Sequence, residues 1–123
     1  MATDSHENVA IITGGGTGVG AATASALNKR GWLIVLCGRR TEPLEEVSQS
    51  IGEGVQPVVA DVSDPHDVEH LFGSAVEAYG RVDLLFNNAG IGAPPVPIEE
   101  QSVEQWRSVV DINLTGSWLC ARA

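Results

Sequence analysis

A glycine-rich stretch is the part of the sequence best suited to chemistry: IITGGGTGVGAA, residues 11–22, has five glycines in the seven positions from 14 to 20. It follows an apolar run and precedes an alanine-rich one, where a strand would pass into a helix. The first turn of a helix has unpaired N–H groups and the positive end of the helix dipole, and both attract phosphate. Glycine lets the backbone approach an anion closely and permits positive φ.

This context predicts a loop that binds the pyrophosphate of a dinucleotide. The residues expected to contact it are Gly14, Gly16, Thr17, Gly18, Val19 and Gly20. The alternative is a glycine-rich turn without a ligand.

Two adjacent arginines follow the second apolar run and bear on which dinucleotide is bound. In such units an acidic residue about 20 positions after the glycines binds the ribose 2′-hydroxyl. Here that place reads LCGRR (36–40), with Gly38 where the acid is expected, followed by Arg39 and Arg40. A guanidinium suits a 2′-phosphate through its charge and its bidentate fork. We therefore predict NADP as the cofactor, with NAD less favoured. The alternative is that the arginines, Arg40 above all, are only solvated loop residues.

Four apolar, β-rich runs must position these residues. They occupy residues 9–12, 32–37, 55–60 and 82–86. The second and fourth are almost continuously apolar, as in strands covered on both faces. We expect the first strand to end near Thr13 and a helix to begin near Gly18.

Three helical patterns follow later in the chain. One covers 42–51. One covers 64–80, with Asp64 as N-cap, Pro65 at the first helical position and Gly80 as the stop. Its inward stripe is predicted to include Val76. The last begins at Ser102 with a capping box. Strands alternating with helices predict an α/β domain with a parallel sheet.

Composition excludes several classes of function. The 123 residues make one domain at most, and the net charge of −9 argues against a nucleic-acid partner. The longest apolar run, 32–37, is too short to cross a membrane. The polar, acidic start does not suggest export. Cys37 and Cys120 have no metal-ligand or redox spacing, so we expect buried thiols in a cytoplasmic protein.

Further motifs follow the glycine loop in order. The loop itself has two parses: G-x-G-x-x-A over 16–21, and T-G-x-x-x-G-x-G over 13–20, which begins where the strand ends. Asp61-Val62 closes the third apolar run, NNAG follows the fourth at 87–90, and Asn113 lies in WRSVVDINLTGSW. With the second parse, this series resembles the short-chain dehydrogenase/reductase family over nearly the whole chain.

The resemblance implies roles for these residues. Those it assigns to the cofactor, beside the adenine or the nicotinamide-side ribose, are Asp61, Val62, Asn88, Ala89 and Gly90. Asn113 matches the helix asparagine of the family's Asn-Ser-Tyr-Lys catalytic set, a member of a proton relay.

Each of these residues also has a purely structural alternative. Asp61 could prepare the turn at 63–65, and Asn87 and Asn88 could be turn formers. Asn113 shares a helical spacing with Trp106, Val110 and Ser117 that predicts an inward face, so it could be a core amide with satisfied hydrogen bonds.

The family's chemistry is hydride transfer between NADP(H) and a carbonyl or alcohol substrate, with a tyrosine as proton donor or acceptor. Its Tyr-x-x-x-Lys pattern is absent here, because the one tyrosine is Tyr79. We therefore expect the N-terminal part of a Rossmann-like, doubly wound parallel sheet: its first four strands and their helices, within an enzyme about twice as long. Relatives suggest a homo-oligomer, a dimer or tetramer, for the complete protein.

A non-catalytic NADP-binding module, or an inactive remnant, is the alternative function. Against it, the fourth strand would keep an unpaired apolar edge. The proline-rich loop at 90–100 follows a strand end, where ligands bind in such sheets, although a plain surface connection explains it equally well.

Overall fold

A computed structural model describes residues 7–90 and 95–123 of the chain. The strands are β1 (Val9–Thr13), β2 (Leu33–Gly38), β3 (Val55–Val59) and β4 (Leu84–Phe86). The α-helices are α1 (Gly18–Lys29), α2 (Thr41–Ile51), α3 (Pro65–Tyr79), α4 (Val103–Val110) and α5 (Gly116–Arg122). A single 3₁₀ turn covers Ile98–Glu100, and a π-helical segment, Asp111–Thr115, joins α4 to α5.

The strands form one parallel sheet in the order β3-β2-β1-β4. Strand β1 is fully buried, and its residues alternate between two cores. Ala10 and Ile12 pack with residues of α1 and α2 on one face, whereas Ile11 packs with residues of α3 and α5 on the other. Helices on both faces of a parallel sheet confirm the predicted Rossmann-like α/β fold, of which four strands are present.

Helix ends follow the predicted capping residues. The Asp64 carboxylate accepts a hydrogen bond from the N–H of His66 (2.9 Å), Pro65 begins α3, and Gly80 ends it with φ +82°. Ser102 and Gln105 exchange the two hydrogen bonds of a capping box at the start of α4. These side chains satisfy N–H groups that the helix itself cannot pair.

Two predictions about buried faces are wrong. Strand β4 begins at Leu84 rather than at residue 82, and as an outer strand it leaves Leu84 38 % exposed instead of covered on both faces. In α3, Val68, Leu71 and Ala75 are buried, but Val76 is exposed. Both residues lie on the β4 side of the sheet, where the described chain supplies no further strand.

The two outer strands differ at their free edges. The N–H of Ala60 donates to the Gly38 carbonyl (2.9 Å), on the β2 side. Because N–H groups point alternately to the two sides of a strand, the nitrogen of Pro57 points away from β2, towards the free edge. Proline has no N–H, so this edge lacks a donor at its centre. Strand β4 contains no proline.

No helix in the described residues combines the length and the hydropathy needed to cross a bilayer.

Candidate functional site

The glycine loop lies between the end of β1 and the start of α1, as predicted. A side chain at Gly14, whose φ is +65°, would place its Cβ 2.9 Å from the Asn88 carbonyl oxygen, and a Cβ at Gly20 would overlap the Gly14 carbonyl oxygen. These two glycines therefore allow α1 and the turn after β4 to pack closely against the loop. Their need for glycine is structural.

Gly18 needs to be glycine for a different reason. It begins α1 with φ +56°, and no protein atom lies within 4 Å of the position its Cβ would occupy. Thr17 and Val19 on either side are exposed. The first turn of α1 therefore faces open space, which is the arrangement required for an anion at a helix N-terminus.

Thr13 is a residue of this site whose role was missed from the sequence. Its hydroxyl accepts hydrogen bonds from the N–H groups of Asn88 (3.0 Å) and Ala89 (2.9 Å) and donates to the Phe86 carbonyl (3.3 Å). The Asn88 side chain also donates to the Gly14 carbonyl (3.2 Å). The ends of β1 and β4 are thus tied together. The signal in the sequence was a single polar residue at the end of an otherwise apolar run, and the structure shows that this residue is buried.

A cleft crosses the carboxyl ends of the strands, where ligands bind in open α/β sheets. Its larger part has a volume of about 430 Å³ and its smaller part about 90 Å³. Predicted residues lining the larger part are Gly14, Gly16, Thr17, Arg39, Arg40 and Gly90. Those lining the smaller part are Gly14, Arg39, Asp61, Val62, Ala89 and Gly90. Five other predicted site residues line neither part of the cleft: Gly18, Val19, Gly20, Asn88 and Asn113.

The two arginines at the end of β2 are exposed beside the glycine loop. Within residues 7–90 and 95–123, neither guanidinium forms an ion pair. The salt bridge found there joins Arg81 and Asp83 at the opposite ends of the strands. Arg39 lines both parts of the cleft and interacts electrostatically with Asp61. The site therefore has positive charge available for an anionic ligand.

Asp61 both closes the turn after β3 and lines the cleft. One carboxylate oxygen, Oδ1, accepts hydrogen bonds from the Ser63 hydroxyl (2.7 Å) and the Ser63 N–H (3.0 Å), which closes the turn after β3. Burial raises the pKa of Asp61, but the hydrogen bonds from Ser63 and the charge of Arg39 outweigh burial and hold that pKa below its usual range. The residue is thus a turn former that also lines the cleft as an anion.

Asn113 is not on an inward-facing stripe, and that prediction is wrong. Asn113 and Trp106 are both exposed. The π-helical segment inserts one extra residue, which shifts the helix face so that Ile112, Gly116 and Leu119 are buried instead. The Asn113 amide oxygen lies 3.1 Å from the position of a Cβ on Gly90, so Asn113 packs against the turn that lines the cleft.

Other sequence features lie away from the cleft or outside the description. Both cysteines are buried free thiols, as predicted. Tyr79 ends α3, at the amino-terminal side of the sheet. Of the loop at 90–100, residues 91–94 lie outside the described residues.

Comparisons with known proteins agree with this geometry. The family model for short chain dehydrogenases matches residues 8–123. A cis-4-hydroxycyclohexanecarboxylate dehydrogenase of Sinomonas cyclohexanicum is 39 % identical, over 94 % of this chain and 47 % of its own length. Serine 3-dehydrogenase of Agrobacterium fabrum is 32 % identical, over 86 % and 43 %.

Solved structures match equally well. A 3-ketoacyl-(acyl-carrier-protein) reductase from Brucella melitensis, complexed with NADH, superposes with a TM-score of 0.92 at 36 % identity, over 94 % of this chain and 48 % of its own. Levodione reductase gives 0.89 at 38 % identity, over 94 % and 46 %. The chain thus spans about half the length of the relatives it matches.

Proposed function

The chain belongs to the short chain dehydrogenase family, and on that premise we propose that it is the nucleotide-binding part of an NADP(H)-dependent oxidoreductase. The proposed substrate is a carbonyl compound or an alcohol. The observation that carries the proposal is a cleft that the glycine loop shares with two arginines, neither of which has an ion-pair partner among the described residues. Thr17 of this cleft directly precedes Gly18, which begins α1 and faces open space. When bound, the nicotinamide ring would supply the hydride acceptor or donor.

The glycine loop would hold the pyrophosphate. Gly18 leaves room for the anion next to the first N–H groups of α1, and Gly14 and Gly20 keep the loop packed against the helix. Gly16, Thr17 and Val19 complete the proposed contact. A helix N-terminus is suited to this task because its N–H groups and dipole are already oriented before the ligand arrives.

The choice of NADP(H) over NAD(H) rests on the end of β2. A relative solved with NADH supports a nicotinamide dinucleotide as cofactor. Here Gly38 has no carboxylate to accept a bond from a free 2′-hydroxyl, and Arg39 and Arg40 offer charge to a 2′-phosphate.

The remaining roles follow the family resemblance. Asp61 and Val62 would lie against the adenine, and Asn88, Ala89 and Gly90 beside the nicotinamide-side ribose. Asn113 would be the asparagine of the proton relay, and its packing against Gly90 supports that proposal.

We also propose that the complete protein is a homo-oligomer and that a second copy covers the apolar surface of α4 and α5. Trp106, Leu114 and Trp118 expose 60 %, 67 % and 57 % of their surface. They lie in the consecutive helical segments α4, Asp111–Thr115 and α5, and large exposed apolar side chains favour association. In sedimentation velocity, Leu114→Lys should shift the protein to smaller species. An unchanged sedimentation coefficient would place the contact elsewhere.

The two unpaired thiols further support a reducing, cytoplasmic setting.

The position of Tyr79 favours a second candidate, a nucleotide-binding module without catalysis. As the sole tyrosine, it ends α3 at the side of the sheet opposite the cleft. Measuring the intact mass of the natural protein distinguishes the candidates. A mass near 12.9 kDa favours the module, and one about twice as large favours the enzyme.

The experiment that tests the main proposal is a titration of the chain with NADPH and NADH, followed by nucleotide fluorescence. The wild type should bind NADPH more tightly. Arg39→Asp should reverse this order, because a carboxylate repels the 2′-phosphate and accepts a hydrogen bond from the 2′-hydroxyl. Arg30→Asp makes the same charge change at the far end of α1 and should leave the order unchanged. Absence of binding to either nucleotide would refute the proposal, and an unchanged order in Arg39→Asp would remove Arg39 from the site.

A further inference from the structure

The turn that follows β3 is held more firmly than a simple connection requires. The Asp61 carboxylate is fixed at Oδ1 by two donors of Ser63, its hydroxyl at 2.7 Å and its N–H at 3.0 Å. Among the hydrogen bonds of the described residues, none involves the other oxygen, Oδ2. The side chain thus has one oxygen anchored to the protein and one turned to no hydrogen-bond donor in that part of the chain.

The backbone of the same residue is held from α3. The N–H of Asp61 donates to Oδ2 of Asp67 (2.8 Å), a residue of the first turn of α3. The next residue is fixed by packing, since a Cβ on Gly116 would lie 2.6 Å from a methyl carbon of Val62. Side chain, backbone and following residue are therefore each held by a different element.

We infer that Ser63 and Asp67 are positioning residues for nucleotide binding, because they orient the Asp61 carboxylate so that its free oxygen accepts a hydrogen bond from the adenine amino group. This inference rests on the proposed function. It explains why a residue lining the smaller part of the cleft accepts two hydrogen bonds from Ser63 and donates its own N–H to Asp67 of α3. A preoriented acceptor loses less conformational entropy on binding than a freely rotating one.

The charges around Asp61 agree with this role. Arg39, at the end of β2, attracts the Asp61 carboxylate, and the Asp67 carboxylate of α3 accepts a hydrogen bond from the Asp61 backbone N–H. The Cys37 thiol of β2 is also close, and its own pKa is raised to about 12, first by burial and then by Cys120, Asp67 and Asp61, so it stays neutral. The carboxylate therefore remains charged to lower pH than a free aspartate, and a charged carboxylate is the form that accepts from an amino group.

The test measures the affinity of the chain for adenosine 2′,5′-bisphosphate by calorimetry between pH 3 and pH 8. Ser63→Ala removes the hydroxyl donor and should weaken binding about two- to tenfold at neutral pH, because the less firmly held carboxylate loses more conformational freedom when the ligand binds. It should also move the acid loss of binding to higher pH, because the Asp61 pKa rises. The ligand's own titration is the same for every variant and cancels in the comparison.

Three variants complete the test. Ser63→Thr keeps the hydroxyl and should bind like the wild type. Ser50→Ala removes a comparable hydroxyl hydrogen bond in α2 (Oγ to the Val47 carbonyl, 3.0 Å) and should leave binding unchanged. Asp67→Asn should weaken binding, since an amide oxygen is a weaker acceptor for the Asp61 N–H.

The outcomes separate this inference from the proposed function. If the wild type binds and Ser63→Ala and Asp67→Asn bind with the same affinity and the same pH dependence, the inference is overturned and the cofactor proposal stands. If the wild type does not bind the bisphosphate, both fall. A loss of thermal stability in Ser63→Ala without a change in affinity or pH profile identifies a merely structural residue and also overturns the inference.

Discussion

Replacing Gly18 with alanine should weaken nucleotide binding far more than it weakens the fold. Gly31, after the far end of α1, is its matched control. Both glycines have positive φ, +56° and +93°, and no protein atom lies within 4 Å of either added Cβ. The cost to stability is therefore backbone strain in both variants, about 1–2 kcal/mol for Gly18→Ala in the left-handed region and at least as much for Gly31→Ala, whose φ lies beyond that region. Only Gly18 stands at the helix end that faces the proposed pyrophosphate.

The strain is too small to explain a loss of binding. Taking about 5 kcal/mol as the free energy of unfolding, a loss of about 1.5 leaves about 3.5 kcal/mol. At that value well under about 1 % of the chain is unfolded, so the apparent dissociation constant is unaffected by unfolding. A methyl group in the space proposed for the phosphate should raise the dissociation constant for NADPH at least about tenfold, because it holds the anion away from the helix N–H groups.

The assay pairs urea unfolding with NADPH titration for the wild type, Gly18→Ala and Gly31→Ala. We expect Gly31→Ala to lose at least as much stability as Gly18→Ala, and a loss of affinity in Gly18→Ala alone. If Gly18→Ala binds NADPH as Gly31→Ala does, then the open space at Gly18 is not a phosphate site, and the loop is only a turn.

Three other perturbations follow from the same geometry. Thr13→Val should lower the free energy of unfolding by about 2–3 kcal/mol, because the N–H groups of Asn88 and Ala89 lose their acceptor, and Thr13→Ser should restore most of it in urea titrations. Cys37 should resist iodoacetamide at pH 8 until the protein unfolds, because burial raises its pKa to about 12; labelling of folded protein, detected by mass spectrometry, would contradict this. The free energy of unfolding should fall as the pH rises above 9, because the thiol then ionises in the unfolded state but not in the folded state. A preparation of the 123-residue chain should not oxidise NADPH with any carbonyl substrate, because Tyr79 lies away from the cleft; sustained loss of NADPH absorbance would reveal an unrecognised proton donor.

Local signals predicted the parts of the fold that depend on local chemistry. Asp64, Pro65 and Gly80 define the ends of α3 because an N-cap acceptor, a residue without an N–H and a left-handed glycine each satisfy a requirement of a helix end. The glycine spacing predicted the passage from β1 into α1 in the same way. The cleft that brings the glycine loop, Arg39 and Asp61 together follows from the rule that parallel strands end at one edge of the sheet.

The failures concern information that local patterns do not contain. The π-helical segment changes the helix phase in the middle of an otherwise regular stretch, so a fixed spacing from Trp106 to Asn113 gave the wrong face. Strand β4 has the composition of a covered strand, but among the described residues it is an outer strand, so its composition gave the wrong exposure for Leu84. In the sequence, Thr13 is only one position of the glycine motif. Its hydrogen bonds join it to residues more than seventy positions away, and a local pattern does not contain such contacts.

Pro57 makes the two free edges of the sheet unequal as places for a further strand to pair. An added strand on the β3 side would find no donor at the centre of the edge, whereas β4 presents Leu84–Phe86 without interruption. Within the described residues, only the β4 edge therefore offers an uninterrupted row of backbone groups to a further strand. In a longer protein, growth of the sheet is expected on the β4 side, and β3 is expected to remain the outer strand.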